Sequence, residues 1–180
     1  MKIWELIADV NNFENLQRIG DFDLEMLQSF DGRSKINDWK PLLFKGMYGN
    51  RQWGDIVDYH GHMPIVTRKV IEATQDLLDN NVEILPVLCE GHELFLLNVT
   101  KVINCIDYTK AIYKNFKSSN RIMCFKKFAF LEEKIKSEHI FKIKELPLFG
   151  VLVSDEFRQR IIDNGLKGFK FELLWDSEAE

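Results

Sequence analysis

Asp58-Tyr59-His60-Gly61-His62 is the stretch whose residue types most readily do chemistry. In an extended chain, residues i, i+2 and i+4 share a face, so Asp58, His60 and His62 can converge on one ion such as Zn²⁺. A catalytic metal would also need an open coordination position and a nearby general base. Gly61 and Pro64 point to a turn instead of a straight strand, and no distant pair of ligands stands out. A solvated polar loop is the expected reading. Cys89-Glu90-Gly91-His92 sets a thiol and an imidazole on either side of a tight turn. A nucleophilic pair needs a third group to orient the ring, and the apolar neighbour Leu88 explains the cysteine as packing. Ser154-Asp155-Glu156 reads best as the start of a helix: the hydroxyl accepts free N–H groups and the acids complement the positive end of the dipole. The sequence holds no GxxxxGK loop, no GxGxxG turn and no GxSxG elbow.

Gly46 to Gly54 is a different kind of candidate. It has three glycines in nine residues and carries Tyr48, Arg51 and Trp53. These residue types dominate protein–protein hot spots, so the three are the candidate partner-binding residues. The competing reading has Trp53 plugging the core and the other two covering it. No residue is assigned to catalysis, to a metal or to a cofactor, and no cofactor is expected.

The elements that must position these groups are legible in outline. Lys2 to Ala8 forms a strand, and the polar segment Asn11 to Phe30 reads as loop with a short helix. Pro64 to Thr67 is an extended entry ending in a Thr N-cap. A helix follows from Arg68 to Asp79, with Val70, Ile71, Thr74, Leu77 and Leu78 at helical spacing. Asn80-Asn81 supplies a left-handed stop, and Val82 to Leu88 a strand in which Pro86 hints at an edge or bulge. Glu90-Gly91 turns the chain back into His92 to Val99 as a hairpin. The same plan recurs at the other end: Leu152 to Ser154, a helix to Asn164, a stop at Gly165, and a strand from Phe169 to Trp175. Between the two units, Lys101 to Asp107 reads as a helical turn, and Arg121 to Phe130 and His139 to Ile143 as strands. The irregular alternation predicts an α+β fold: a mixed, mainly antiparallel sheet with several short helices and two similar strand–helix–strand units.

Length and composition bound the rest. The 180 residues fit a single domain, 1–180, and 46% hydrophobic residues with 14 Phe supply a core. A net charge of −4 argues against a nucleic-acid binder. The charge is unevenly spread: Lys110 to Lys144 holds ten Lys and Arg against three Glu, which leaves −11 elsewhere. These lysines fit half-exposed strands whose inward residues are Ile122, Phe125, Phe128 and Ile143; the alternative is a surface for an acidic partner. Cys89, Cys105 and Cys124 each sit in an apolar run, as reduced core cysteines do. Acidic residues come too early for a signal peptide, and no apolar run approaches the roughly 20 residues of a membrane span. A cytoplasmic chain is expected, with neither nucleic acid nor membrane as a partner.

Five motifs in order form a recognisable series: Asp38-Trp39-x-Pro41, Glu83 to Val87, Leu94 to Thr100, Ile140 to Ile143, and Val153 to Phe157 through Gly165 to Phe171. This series resembles the eleventh numbered immunity-protein family of bacterial polymorphic toxin systems, formerly a domain of unknown function. The resemblance covers about Asp38 to Trp175, with residues 1–37 as an extension of the same domain. It implies a cytoplasmic, non-enzymatic protein that binds and neutralises a cognate toxin. Two other classes are distinguished by what they require. A small-ligand-binding or regulatory module needs a deep apolar pocket, and a metal-dependent enzyme needs Asp58, His60 and His62 around an ion.

Overall fold

A computed structural model of the chain describes residues 1–21 and 23–179. The chain opens with β1 (Lys2–Ala8), β2 (Leu16–Arg18), the short helix α1 (Leu24–Gln28) and β3 (Leu43–Gly46). A hairpin of β4 (Ile56–His60) and β5 (Met63–Thr67) leads into α2 (Arg68–Leu78). A 3-10 turn at Asp79–Asn81 then feeds a longer hairpin of β6 (Val82–Cys89) and β7 (His92–Val99). Next come β8 (Val102–Ile103), β9 (Ile112–Asn115), β10 (Ile122–Lys127) and the short helix α3 (Glu132–Ile135). The chain closes with β11 (Ile140–Ile143), β12 (Val151–Ser154), α4 (Asp155–Asp163) and β13 (Phe169–Asp176).

These strands build a five-stranded sheet in the order β13-β1-β12-β11-β8, a six-stranded sheet in the order β2-β3-β6-β7-β5-β4, and a separate ribbon of β9 and β10. Pairing is antiparallel except at β8–β11 and β3–β6. The fold is α+β with short helices, as the sequence predicts. The two similar units are also present, each with a strand inserted. β7 lies between β5 and β6, and β1 lies between β12 and β13. Each inserted strand is antiparallel to both neighbours, so the flanking strands run parallel and need a helical crossover.

The crossover helices α2 and α4 pack on each other over a shared core. Val70, Leu77 and Leu78 meet Phe157 and Ile161 above Leu6, Val66, Leu97, Val99, Val151 and Val153. Arg160 of α4 clamps Asp76 of α2 with two bonds of 2.6 and 3.0 Å. A second core lies under the six-stranded sheet around Phe30, Phe44, Met63 and Leu96. A third joins Ile3, Phe128, Phe130, Phe141 and Trp175.

The two helix starts differ chemically. Ser154 Oγ accepts from the Phe157 amide at 3.2 Å and so caps α4. Thr67 sits at the same position before α2, but its hydroxyl donates to Asp55 Oδ1 at 3.1 Å and leaves the helix uncapped by a side chain. Ser154→Ala is expected to cost about 1 kcal/mol, read as a lower urea midpoint. A midpoint equal to the parent's would remove the cap from the account. The stops differ too. Gly165 takes the left-handed conformation (φ +62°), whereas after α2 the positive φ (+43°) belongs to Asp79, one residue before the Asn pair.

Other sequence expectations are corrected by pairing. The segment expected to be loop contributes β2, and residues 101–107 supply β8 and an isolated bridge from Ile106 to Phe130 instead of a helical turn. Pro86 lies in an interior strand, yet β3 pairs only with Leu88 and Cys89 of β6. Beside Pro86 stands Trp39, whose Nε1 donates to the Pro86 carbonyl at 2.8 Å, so the missing amide breaks no ladder there. Lys142 is not on a solvent face: all four residues of β11 are buried. Its ammonium donates to the carbonyls of Phe30 and, at 3.2 Å, of His62. Burial pushes its pKa down to about 8.

Two glycines allow the two sheets to meet. Gly54 precedes β4 and Gly168 precedes β13 (φ +87°). A Cβ on either would come 3.1 Å from the other's Cα and under 3.0 Å from the Ile56 carbonyl. Asp55 spans the crossing. Its amide donates to Lys167 O at 2.8 Å, and its carboxylate accepts from the Lys167 amide at 2.8 Å.

Candidate functional site

The Gly46–Gly54 loop leaves β3 and returns to β4, and a buried carboxylate shapes it. Glu14 is 1% exposed. Its Oε1 accepts from the amides of Asn15 (3.1 Å) and Tyr48 (2.8 Å), and its Oε2 from that of Gly49 (2.7 Å). Burial drives the Glu14 pKa up, but the backbone donors outweigh it and hold the group below the usual carboxylate range. Arg51 Nη1 donates to the carbonyls of Val10 (2.8 Å) and Phe13 (3.5 Å), and its guanidinium lies 3.7 Å over the Tyr48 ring. The loop is therefore organised from within, with glycine where side chains would crowd it. A Cβ on Gly46 would lie 3.3 Å from both Glu14 and Trp53.

The three candidate residues hold different positions. Tyr48 is 46% exposed and is presented outward, beside exposed Met47. Arg51 is half-buried and its donors face the chain's own carbonyls. Trp53 is half-buried, packs against the second core and stacks on His92 with ring centroids 3.6 Å apart and a tilt of 22°. Trp53 and Arg51 thus anchor the loop, and Tyr48 projects from it.

A second exposed face, on β3 and β6, carries residues not singled out from the sequence. β6 alternates strictly, so Ile84, Pro86 and Leu88 project outward together. Leu43 of β3 pairs beside Leu88, and both are exposed. The signal lay in that alternation, but its outer face is apolar where a solvated strand would be polar.

Asp58, His60 and His62 do not assemble as a metal centre. Asp58 and His60 belong to β4, half-buried and not in a solvated loop, while His62 sits in the turn before β5. The His62 Nε2 is bonded to the Leu27 carbonyl at 3.1 Å, and the two histidine rings stand 6.0 Å apart. Among the described residues, no group of three His, Cys, Asp or Glu side chains is placed to hold a metal ion. Burial raises the Asp58 pKa against the opposing charge of His60; burial likewise lowers that of His62, against its bond to Leu27. Asp58 and His60 instead line a cleft of about 120 Å³ together with Glu5. Burial, then the charge of Glu172 on the paired strand, lifts Glu5 to about 7.

Cys89 and His92 are cross-strand partners at the β6–β7 turn, as the hairpin reading requires. Burial pushes the Cys89 thiol up, the opposite of what activates a nucleophile, and the His92 ring is occupied by Trp53. A cleft of about 410 Å³ beside Trp39 combines the apolar side chains of Met26, Trp39 and Leu42 with charged and polar ones, among them Arg18, Asp23, Lys35 and Asp38.

The motif residues themselves act as scaffold. Glu83 and Asn98 are paired across β6 and β7. The Asn98 amide donates to Glu83 (2.8 Å) and to the Arg33 carbonyl (2.9 Å), while Glu83 accepts from Ser34 and from the Lys35 amide. Together with the Trp39–Pro86 bond, they fasten the segment before β3 to the sheet.

The chain is an α+β scaffold that presents, among other exposed features, an internally braced loop and a row of outward-facing apolar residues on β6. The model of the Immunity protein family (Imm11) matches residues 88–175, just under half of the chain, and bears out the family resemblance over that segment; the motifs at Asp38–Pro41 and Glu83–Val87 lie outside the match. The match runs from the end of β6 through β13, so it includes α4 and the β9–β10 ribbon and leaves the Gly46–Gly54 loop outside. No curated protein matches the chain. Among the described residues, no helix is long and apolar enough to cross a membrane.

Proposed function

We propose that this chain is a bacterial immunity protein that binds a cognate toxin domain in the cytoplasm and neutralises it by covering its working surface, with no reaction of its own. The observation that carries the reading is the Imm11 match over residues 88–175. Inhibition by occlusion needs a rigid frame and a complementary face, a reading supported by the braced loop and by the exposed apolar residues of β6.

In this reading Tyr48 is the contact residue of the loop, pre-stacked on Arg51 so that little side-chain freedom is lost on binding. Trp53 supports the loop from beneath. Tyr48→Ala is expected to weaken toxin binding by about 1–2 kcal/mol with an unchanged melting temperature. Trp53→Ala should lower affinity and melting temperature together, because it also removes packing from the second core. The functional test is co-expression with a candidate toxin domain, sought among the products of neighbouring genes, scored by growth and by recovery of a stoichiometric complex. Growth arrest despite abundant folded protein would refute the immunity reading. Unchanged affinity in Tyr48→Ala would move the contact away from the loop.

A further inference from the structure

We propose that the β9–β10 ribbon is a recognition arm that docks an acidic surface of a protein partner; the partner's identity as a toxin rests on the immunity reading above. A free two-stranded ribbon is marginal in water, and this one pairs with neither large sheet. It is held by a chain of aromatic contacts: Tyr113 to Phe125 (6.0 Å between centroids), Phe125 to Phe128 (4.8 Å), Phe128 to Phe130 (5.9 Å) and Phe130 to Trp175 (5.7 Å). The last two belong to the third core. One side of the ribbon is thus anchored, and Ile112 (54%), Phe116 (46%) and Met123 (43%) remain exposed.

Charge decides what can cover them. Between Asp107 and Glu132 the sequence has six Lys and Arg and no acid, so this segment is +6 while the remainder of the chain is −10. Lys114, Lys117, Arg121, Lys126 and Lys127 enter no ion pair among the described residues. Apolar side chains rimmed by uncompensated cations have the anatomy of a protein interface whose partner brings carboxylates. A nucleic acid fits less well. Tyr113 and Phe116 are exposed rings on which bases could stack, but the −10 of the remaining chain repels a polyanion, and the exposed Ile112 and Met123 add apolar surface that a protein partner covers better. The ribbon also lies wholly inside the segment that matches Imm11.

The test measures binding of the full chain to the toxin domain that it protects against in the co-expression test, at low and high salt. A Lys114→Glu, Lys126→Glu, Lys127→Glu variant should associate at least about tenfold more slowly at low salt and lose most of the parent's salt dependence. A Phe116→Ala, Met123→Ala variant should dissociate about tenfold faster. Both should melt like the parent, since the altered side chains are exposed. If the parent binds and both variants bind equally well, the arm is wrong while the immunity reading stands. If the parent neither binds nor protects, both fall. Binding of single-stranded oligothymidine that the triple variant abolishes would reassign the ribbon to nucleic acid. A parent dimer that the triple variant dissolves in sedimentation would reassign it to a second copy of this chain.

Discussion

Between pH 8 and pH 10.5 the parent chain is expected to gain roughly 3 kcal/mol of stability relative to a Lys142→Met variant. The sign follows from where the proton sits. Burial holds the folded-state pKa at about 8, against 10.5 for an ordinary lysine. Within that window the unfolded chain binds a proton that the folded chain does not, so raising the pH favours folding. Below pH 8 the parent bears the full cost of a buried cation. Methionine removes that cost but leaves the Phe30 and His62 carbonyls without their donor, at about 1–3 kcal/mol each. The two effects nearly cancel at pH 7, and the difference opens only in base. Burial holds Cys105 up near 12, and desolvation together with the bond to the Glu145 carboxylate does the same for Tyr108, which erodes stability over overlapping pH. Both proteins share that loss, so it drops out of the comparison. Urea unfolding of parent and variant across this range is the measurement. A difference that stays constant with pH would show that Lys142 is not a titrating buried amine.

Gly168→Ala is expected to destabilise the chain by at least about 3 kcal/mol, from two additive causes. The left-handed backbone (φ +87°) resists a Cβ, at about 1–2 kcal/mol. The added carbon would also stand 2.9 Å from the Ile56 carbonyl and 3.1 Å from Gly54 Cα, both backbone atoms that cannot swing aside. Gly165→Ala is the internal control. It has a similar backbone (φ +62°) but nothing within 4 Å, so only the conformational cost applies. Equal losses in the two variants would mean that the crossing of Gly54 and Gly168 does not hold the sheets together.

The sequence by itself determined the elements whose signals are local. β1 and β7 fall where periodicity placed them, and α2 and α4 begin after the hydroxyl residues that announce them. The Gly165 stop and the β6–β7 hairpin follow from single-residue conformational preferences of the same short range. The motifs from Leu94 onward, which lie in the segment matched by the immunity family, are likewise legible as short runs of sequence.

Tertiary structure alone decided four things, each because the partner lies outside the local segment. Thr67 and Ser154 have the same local signature, but Asp55 is within reach of one hydroxyl and not the other. Lys142 carries a side chain that periodicity assigns to solvent, and only the approach of Phe30 and His62 supplies acceptors for a buried ammonium. Glu14 and Tyr48 are 34 residues apart, so nothing local in the Gly46–Gly54 loop shows that a buried carboxylate organises it. Spacing could bring Asp58, His60 and His62 onto one face, but the turn at Gly61 sends His62 to the Leu27 carbonyl. A hydrogen bond formed across the fold outweighed a pattern that extended-chain geometry merely allowed.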